Sequence, residues 1–165
     1  EWSRGLGDVY KRQEQVLAHV DLARRLTTPV CLDESILDAA TTEDALRLGA
    51  CSVVNVKAGR VGGYLEARAV HDLCLARGIP VWCGGMLETG IGRAANLALA
   101  SLPGFTLPGD ISASARYWHR DIVTEPFTVD PDGHMAVPRG PGLGVEVDHE
   151  FVSSVTTTVE EVRAP

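Results

Sequence analysis

From Glu14 onward the apolar positions follow two alternating rhythms. Val16, Leu17, Val20, Ala23 and Leu26 recur at helical spacing and predict a helix that Thr27, Thr28 and Pro29 end. Residues 29–33 (PVCLD) form a short apolar run closing on charge. A helix follows over residues 41–48, with Gly49 in position to cap its carboxyl end. Residues 51–57 (CSVVNVK) are apolar and rich in β-branched side chains, and again close on charge. Residues 64–77 are helical, with Leu65, Ala69, Leu73 and Ala76 on one face and Gly78 after the end. Residues 79–83 (IPVWC) are a third strand candidate, residues 90–102 a helix of small apolar residues, and residues 105–107 a fourth, weaker strand.

The strand ends fall near Asp33, Lys57, Gly84 and Asp110, at intervals of 24, 27 and 26 residues. Continuous apolar strands separated by helices predict an α/β fold with a parallel sheet covered on both faces. A steady period of this size suits a (β/α) barrel, whose eight units take about 250 residues. The 165 residues hold about four units, hence a partial barrel. An open doubly wound sheet would place a Gly-rich phosphate turn after its first strand, and PVCLDES has none. Residues 121–148, rich in Pro, Gly and Asp, read as hairpins and turns, and residues 149–165 as weakly helical or disordered. The expected organisation is a partial barrel over 14–120 and an irregular tail over 121–165. Residues 3–13 (SRGLGDVYKRQ) match the translation of a sequencing adapter, so 1–13 are expected to be non-native and are left out of the fold reading.

Composition narrows the function. The net charge is −7, with no basic run to meet a nucleic acid. No apolar stretch approaches 18 residues, and no signal-peptide pattern opens the chain. Cys31, Cys51, Cys74 and Cys83 lack CxxC spacing, so they are expected as reduced thiols, which suits a cytoplasmic protein. Gly59, Gly62 and Gly63 lack the Walker spacing and read as a tight turn before a helix. The five histidines form no HxxxH or HExxH pattern and are expected to be solvated or on helix surfaces. Glu88-Thr89 reads as a helix N-terminal arrangement and Trp82 as core.

In parallel βα proteins the chemistry sits at the carboxyl ends of the strands. Asp33, followed by Glu34, and Lys57 occupy two such ends. A carboxylate there can ligate a hard cation such as Mg²⁺, and a lysine at the next mouth can move a proton. The same pair can equally be a salt bridge capping two strands. Spacing alone leaves both readings open.

The motifs PVCLDESI, VNVKAGRVGGYLEA, GIPVWCGGMLETGIGRAAN and LPGDISAS stand in an order and at spacings that resemble the o-succinylbenzoate synthase / N-acylamino acid racemase branch of the enolase superfamily, over Glu14 to about Val147. The resemblance implies that the partial barrel is the C-terminal half of a TIM-like barrel enzyme that uses Mg²⁺ to remove a proton α to a carboxylate. It implies that Asp33 is a metal ligand, that Glu34 shapes the site and that Lys57 is the catalytic acid/base. It also implies that Gly84, Gly85, Met86 and Leu87 line the pocket for the acyl or succinyl group, while Asp110 orders a strand mouth without a chemical role. Dehydration to o-succinylbenzoate, in menaquinone biosynthesis, is the first expected reaction, and racemisation of N-acylamino acids the second. The expected partner is a small carboxylate substrate, with no nucleic acid and no membrane, and a full-length relative is expected to be a homo-oligomer. The family's Lys-x-Lys motif, two further acidic metal ligands and its capping domain match no segment here. The tail is expected to pack on that domain. The chain by itself is therefore expected to be inactive, and a non-catalytic half-barrel is the rival reading.

Overall fold

The computed structural model describes residues 15–162, and the adapter-like reading of 1–13 lies outside them. The order of elements is α1 (Val16–Arg25), β1 (Cys31–Leu32), α2 (Ala39–Leu48), β2 (Val53–Val56), α3 (Tyr64–Ala76), β3 (Val81–Cys83), α4 (Gly90–Ala100), a 3₁₀ turn (Ser114–Arg116) and α5 (His149–Val155). Among the described residues the three strands form one parallel sheet in the order β1-β2-β3. Cys31 pairs with Val53 and Leu32 with Val54; Val54, Asn55 and Val56 pair with Val81, Trp82 and Cys83. The strand–helix–strand rhythm of the sequence is thus realised as parallel βαβ units.

The chain divides into two compact units. Of the described residues, 15–86 and 98–111 form the first, and 87–97 and 112–162 the second. In the first unit, side chains alternate across the sheet because successive residues of a strand face opposite sides. Leu32, Val54, Val56, Val81 and Cys83 are fully buried, in one core with Val20 of α1, Ala45 of α2, and Ala67, Val70 and Cys74 of α3. Cys31, Asn55 and Trp82 fall on the opposite face, where the Trp82 indole N–H donates to Cys31 Sγ at 3.3 Å. A capping box opens α2: the Asp38 carboxylate accepts the Thr41 N–H at 2.6 Å, and the Thr41 hydroxyl accepts the Asp38 N–H at 3.0 Å. Glu66 of α3 accepts the Ala39 N–H at 2.8 Å, tying the two helices together. Gly63 precedes α3 with φ 121°, a conformation open to glycine, so the Gly-rich stretch is the tight turn expected of it.

The strands are shorter than the apolar runs that announce them, and residues 105–107 are not a fourth strand. Phe105 makes one isolated parallel bridge to Val81, and Leu107 donates to the Val81 carbonyl at 3.3 Å. Pro108 has no N–H to continue a ladder. The histidine expectation also needs correction: His19 and His71 are buried. His71 Nε2 accepts the Gly104 N–H at 2.9 Å and its ring stacks on Phe105, so this histidine secures the segment beyond β3.

In the second unit, residues 122–124 run antiparallel to 146–148. Val123 bridges Val147, Thr124 donates to the Glu146 carbonyl at 3.0 Å, and Asp148 to the Ile122 carbonyl at 2.8 Å. Buried Asp121 accepts the Gly90 N–H at 2.7 Å and the Ser114 hydroxyl at 2.5 Å, with the Arg93 guanidinium 3.7 Å away. Asp121 therefore caps the first turn of α4 from outside the helix, a task the sequence reading gave to Glu88-Thr89. Glu88 instead accepts from Asn96 at 2.9 Å. No helix among the described residues is long and apolar enough to cross a membrane.

No disulfide joins the four cysteines among the described residues; Cys31 is exposed and the other three are buried. Burial pushes the Cys51 thiol up to about 12 and the Cys74 thiol up to about 11, so neither forms a thiolate near neutral pH. Alkylation of the folded chain at mildly alkaline pH, followed by peptide mass mapping, is expected to modify Cys31 and spare Cys51, Cys74 and Cys83 until denaturant is added. Uniform labelling of all four in native buffer would contradict this core.

Candidate active site

Asp33 follows the last residue of β1 and Lys57 the last residue of β2, and these strands are parallel neighbours. Both side chains therefore emerge at the same end of the sheet and, by alternation with Leu32 and Val56, on the face away from the core. There they meet: Lys57 Nζ donates to Asp33 Oδ2 at 2.8 Å. Two residues that the sequence places 24 positions apart form one ion pair.

A third member was absent from the sequence-based site. Arg60 pairs with the other oxygen, Oδ1, of Asp33. It also donates through Nε to the Ile36 carbonyl at 2.8 Å and through Nη2 to the Asn55 carbonyl at 2.6 Å. The turn after β2 brings it back, with Arg60 and Val61 both donating to the Lys57 carbonyl. All three side chains are largely buried, at 25% exposure for Asp33, 17% for Lys57 and 14% for Arg60. Burial lowers the Arg60 guanidinium to about 10, which leaves it charged at neutral pH. The signal was in the motif: a basic residue three positions after a strand-terminal lysine, in a Gly-containing turn, folds back over the same strand end.

Glu34 is half-buried beside Asp33 in sequence and takes no part in the ion-paired cluster. The Gly85 N–H donates to the Asp110 carboxylate, so Asp110 holds the backbone just past β3. Met86 is 60% exposed. Leu87 opens the second unit and is 63% exposed. The structure thus brings Asp33 and Lys57 into contact, sets Gly85 against Asp110, and leaves Met86 and Leu87 as exposed apolar side chains.

Asp33 fits a hard cation as one ligand: it is a carboxylate at a strand mouth, partly open, with oxygen donors. It fits as one ligand only, because both its oxygens are engaged by cations and, among the described residues, no second carboxylate is ion-paired into the cluster. The one set of three ligand-type side chains grouped closely enough for a single ion, among the described residues, is the exposed Asp130, Asp132 and His134. There the Asp130 carboxylate closes a turn by accepting the N–H groups of Asp132 and His134.

A parallel βα sheet with a carboxylate and a lysine joined at adjacent strand mouths is the arrangement of a partial (β/α) barrel. The chain belongs to the enolase C-terminal domain-like family, whose model matches residues 10–151. It is 64% identical over 145 residues to an N-succinylamino acid racemase of Amycolatopsis sp, covering 88% of this chain and 39% of that protein. It is 49% identical over 147 residues to the o-succinylbenzoate synthase of Bacillus subtilis (strain 168), covering 89% of this chain and 39% of that protein. Among solved structures, an enolase-superfamily member from Listeria innocua Clip11262 superposes with TM-score 0.85 at 41% identity, over 88% of this chain and 39% of that one. The chain thus spans about 39% of the length of these relatives.

The cluster predicts unequal costs of substitution. Asp33→Asn leaves two cations facing each other without an anion and is expected to destabilise the chain by about 2 kcal/mol, the cost of an unpaired buried charge discounted for partial exposure. Lys57→Met leaves Arg60 still paired with Asp33 and is expected to cost less than about 1 kcal/mol. Urea denaturation of the two variants tests this order, and equal losses would mean that the three groups do not act as one cluster.

Proposed function

We propose that this chain is the barrel segment of an enzyme that moves a proton α to a carboxylate, with Lys57 as the acid/base. The observation that carries this reading is the Asp33–Lys57 contact at the mouths of adjacent parallel strands, 2.8 Å long and largely shielded from water. Lys57 holds a proton donor at a fixed point above the sheet. As an ammonium it would stabilise negative charge developing on a substrate carboxylate; as an amine it would take or return the α-proton. Arg60, anchored to two carbonyls, keeps the Asp33 carboxylate oriented while Lys57 acts.

A divalent cation, Mg²⁺ in this reading, would take Asp33 as one ligand and supply charge opposite the substrate carboxylate. The remaining ligands and a second proton-transfer group would come from the part of the protein that this chain does not span. By the family resemblance, Gly85, Met86 and Leu87 are the residues proposed for the acyl side of the substrate; Met86 and Leu87 are exposed. The expected substrate is a small carboxylate, and Glu34 shapes the site without touching the proton.

Two reactions share this chemistry. Dehydration to o-succinylbenzoate is supported by the 49% identical synthase. Racemisation of N-succinylamino acids has the nearer support, the 64% identical racemase. In the full-length protein, Lys57→Ala is expected to lower kcat for either reaction by about 10²–10⁴-fold. Loss of the α-hydrogen NMR signal in D₂O reads racemisation, and product absorbance reads dehydration. The 165-residue chain, with one carboxylate ligand in place of several, is expected to show neither micromolar Mg²⁺ affinity by calorimetry nor turnover. Retained activity in Lys57→Ala, or tight Mg²⁺ binding by the chain alone, would overturn the assignment of these residues.

A further inference from the structure

Asn55 breaks the local rules of its strand. It sits in the middle of VVNV, in the central strand of the sheet, where β-branched apolar residues are favoured. Its side chain is fully buried, yet among the described residues neither Oδ1 nor Nδ2 has a hydrogen-bond partner. A buried amide left unsatisfied costs stability, and an apolar side chain of the same shape would avoid that cost. A residue that violates strand propensity and polar satisfaction together, with nothing local to offset it, marks a functional constraint.

The neighbourhood shows what the constraint is. Asn55 lies two residues before Lys57 and so on the same face of the sheet. On the next strand, Gly84 follows β3 and donates its N–H to the Val56 carbonyl at 2.9 Å. A Cβ placed on Gly84 would lie 2.6 Å from Lys57 Cγ and 2.7 Å from Lys57 Cε, and closer still to Asn55 Oδ1. The amide oxygen and the lysine stem therefore converge on one volume that exists because residue 84 has no side chain. The Asn55 carbonyl meanwhile anchors Arg60. Asn55 thus holds the cluster through its backbone, at Arg60, while its side chain borders the same volume as the Lys57 stem.

We propose that Asn55 is a positioning residue: with Gly84 it forms a polar slot that confines the Lys57 stem and keeps its ammonium against Asp33. The proposal rests on the reading of Lys57 as the proton-transfer group, and its test separates the two. In the 165-residue chain, Asn55→Leu removes the unsatisfied amide and is expected to raise Tm by about 3 °C or more. The Asp33–Lys57 coupling is read from a denaturation double-mutant cycle with Asp33→Asn and Lys57→Met. In the Asn55→Leu background it is expected to fall to less than half. Gly84→Ala, which fills the slot while keeping Asn55, is expected to weaken the same coupling. In the full-length protein, Asn55→Leu is expected to lower kcat by about tenfold or more, with KM within about twofold, because a misplaced lysine fails after binding. A lower Tm or failure to fold in Asn55→Leu, or a coupling that survives in both variants, overturns the positioning role. A lost coupling with unchanged kcat upholds the slot and instead sinks Lys57 as the proton-transfer group.

Discussion

Parallel strands joined by helices must all return to the same end before they pair, and this constraint organises the site. Each unit takes one strand, one helix and two short connections, so strand mouths recur at intervals of 24 to 27 residues. The core faces of β1, β2 and β3 are filled by Leu32, Val54, Val56, Val81 and Cys83, all buried, which leaves the mouths and the opposite face for polar groups. Asp33 and Lys57 are the first residues past their strands, so parallel pairing of β1 with β2 brings them together without further design. Antiparallel pairing would put them at opposite ends.

Within the cluster the three groups are not equivalent. Arg60 spends its donors on Asp33, the Ile36 carbonyl and the Asn55 carbonyl, so its planar head is held at three points. Lys57 has Asp33 as its one hydrogen-bond acceptor among the described residues. The guanidinium is thus the fixed counter-charge that orients the carboxylate, and the ammonium is the member that can change partner or protonation without dismantling the site. That freedom is what the proton-transfer role proposed for Lys57 would use.

Much of this was legible in the residues. The helices begin and end within about two residues of their apolar periodicity, because amphipathic spacing and capping are local properties. The site pair was legible because the first charge after each apolar run marks a strand mouth. What escaped depends on distant partners. Residues 105–107 have strand-like composition but sit before Pro108, and a single bridge is all they form. His71 looks like a helix-surface histidine until Gly104 and Phe105 fold onto it. Arg60 and Asn55 were visible inside the quoted motif, yet their roles come from a turn and a neighbouring strand that spacing alone does not place.

The charge balance of the cluster bears on what the mouth can hold. Asp33, Lys57 and Arg60 together carry net +1, set in a chain of net charge −7. At exposures of 14–25% these charges are poorly screened by solvent, so the local field is stronger than the same charges would produce on an open surface. An excess of acid over the whole chain repels anions at long range, while the mouth attracts them at short range. The carboxylate substrate proposed for the site would meet this local positive excess at the strand mouths. It also limits the role of Asp33 as a metal ligand: a cation arriving there must compete with two resident positive charges. Further anionic ligands, contributed from outside this cluster, would have to offset them before the ion could stay.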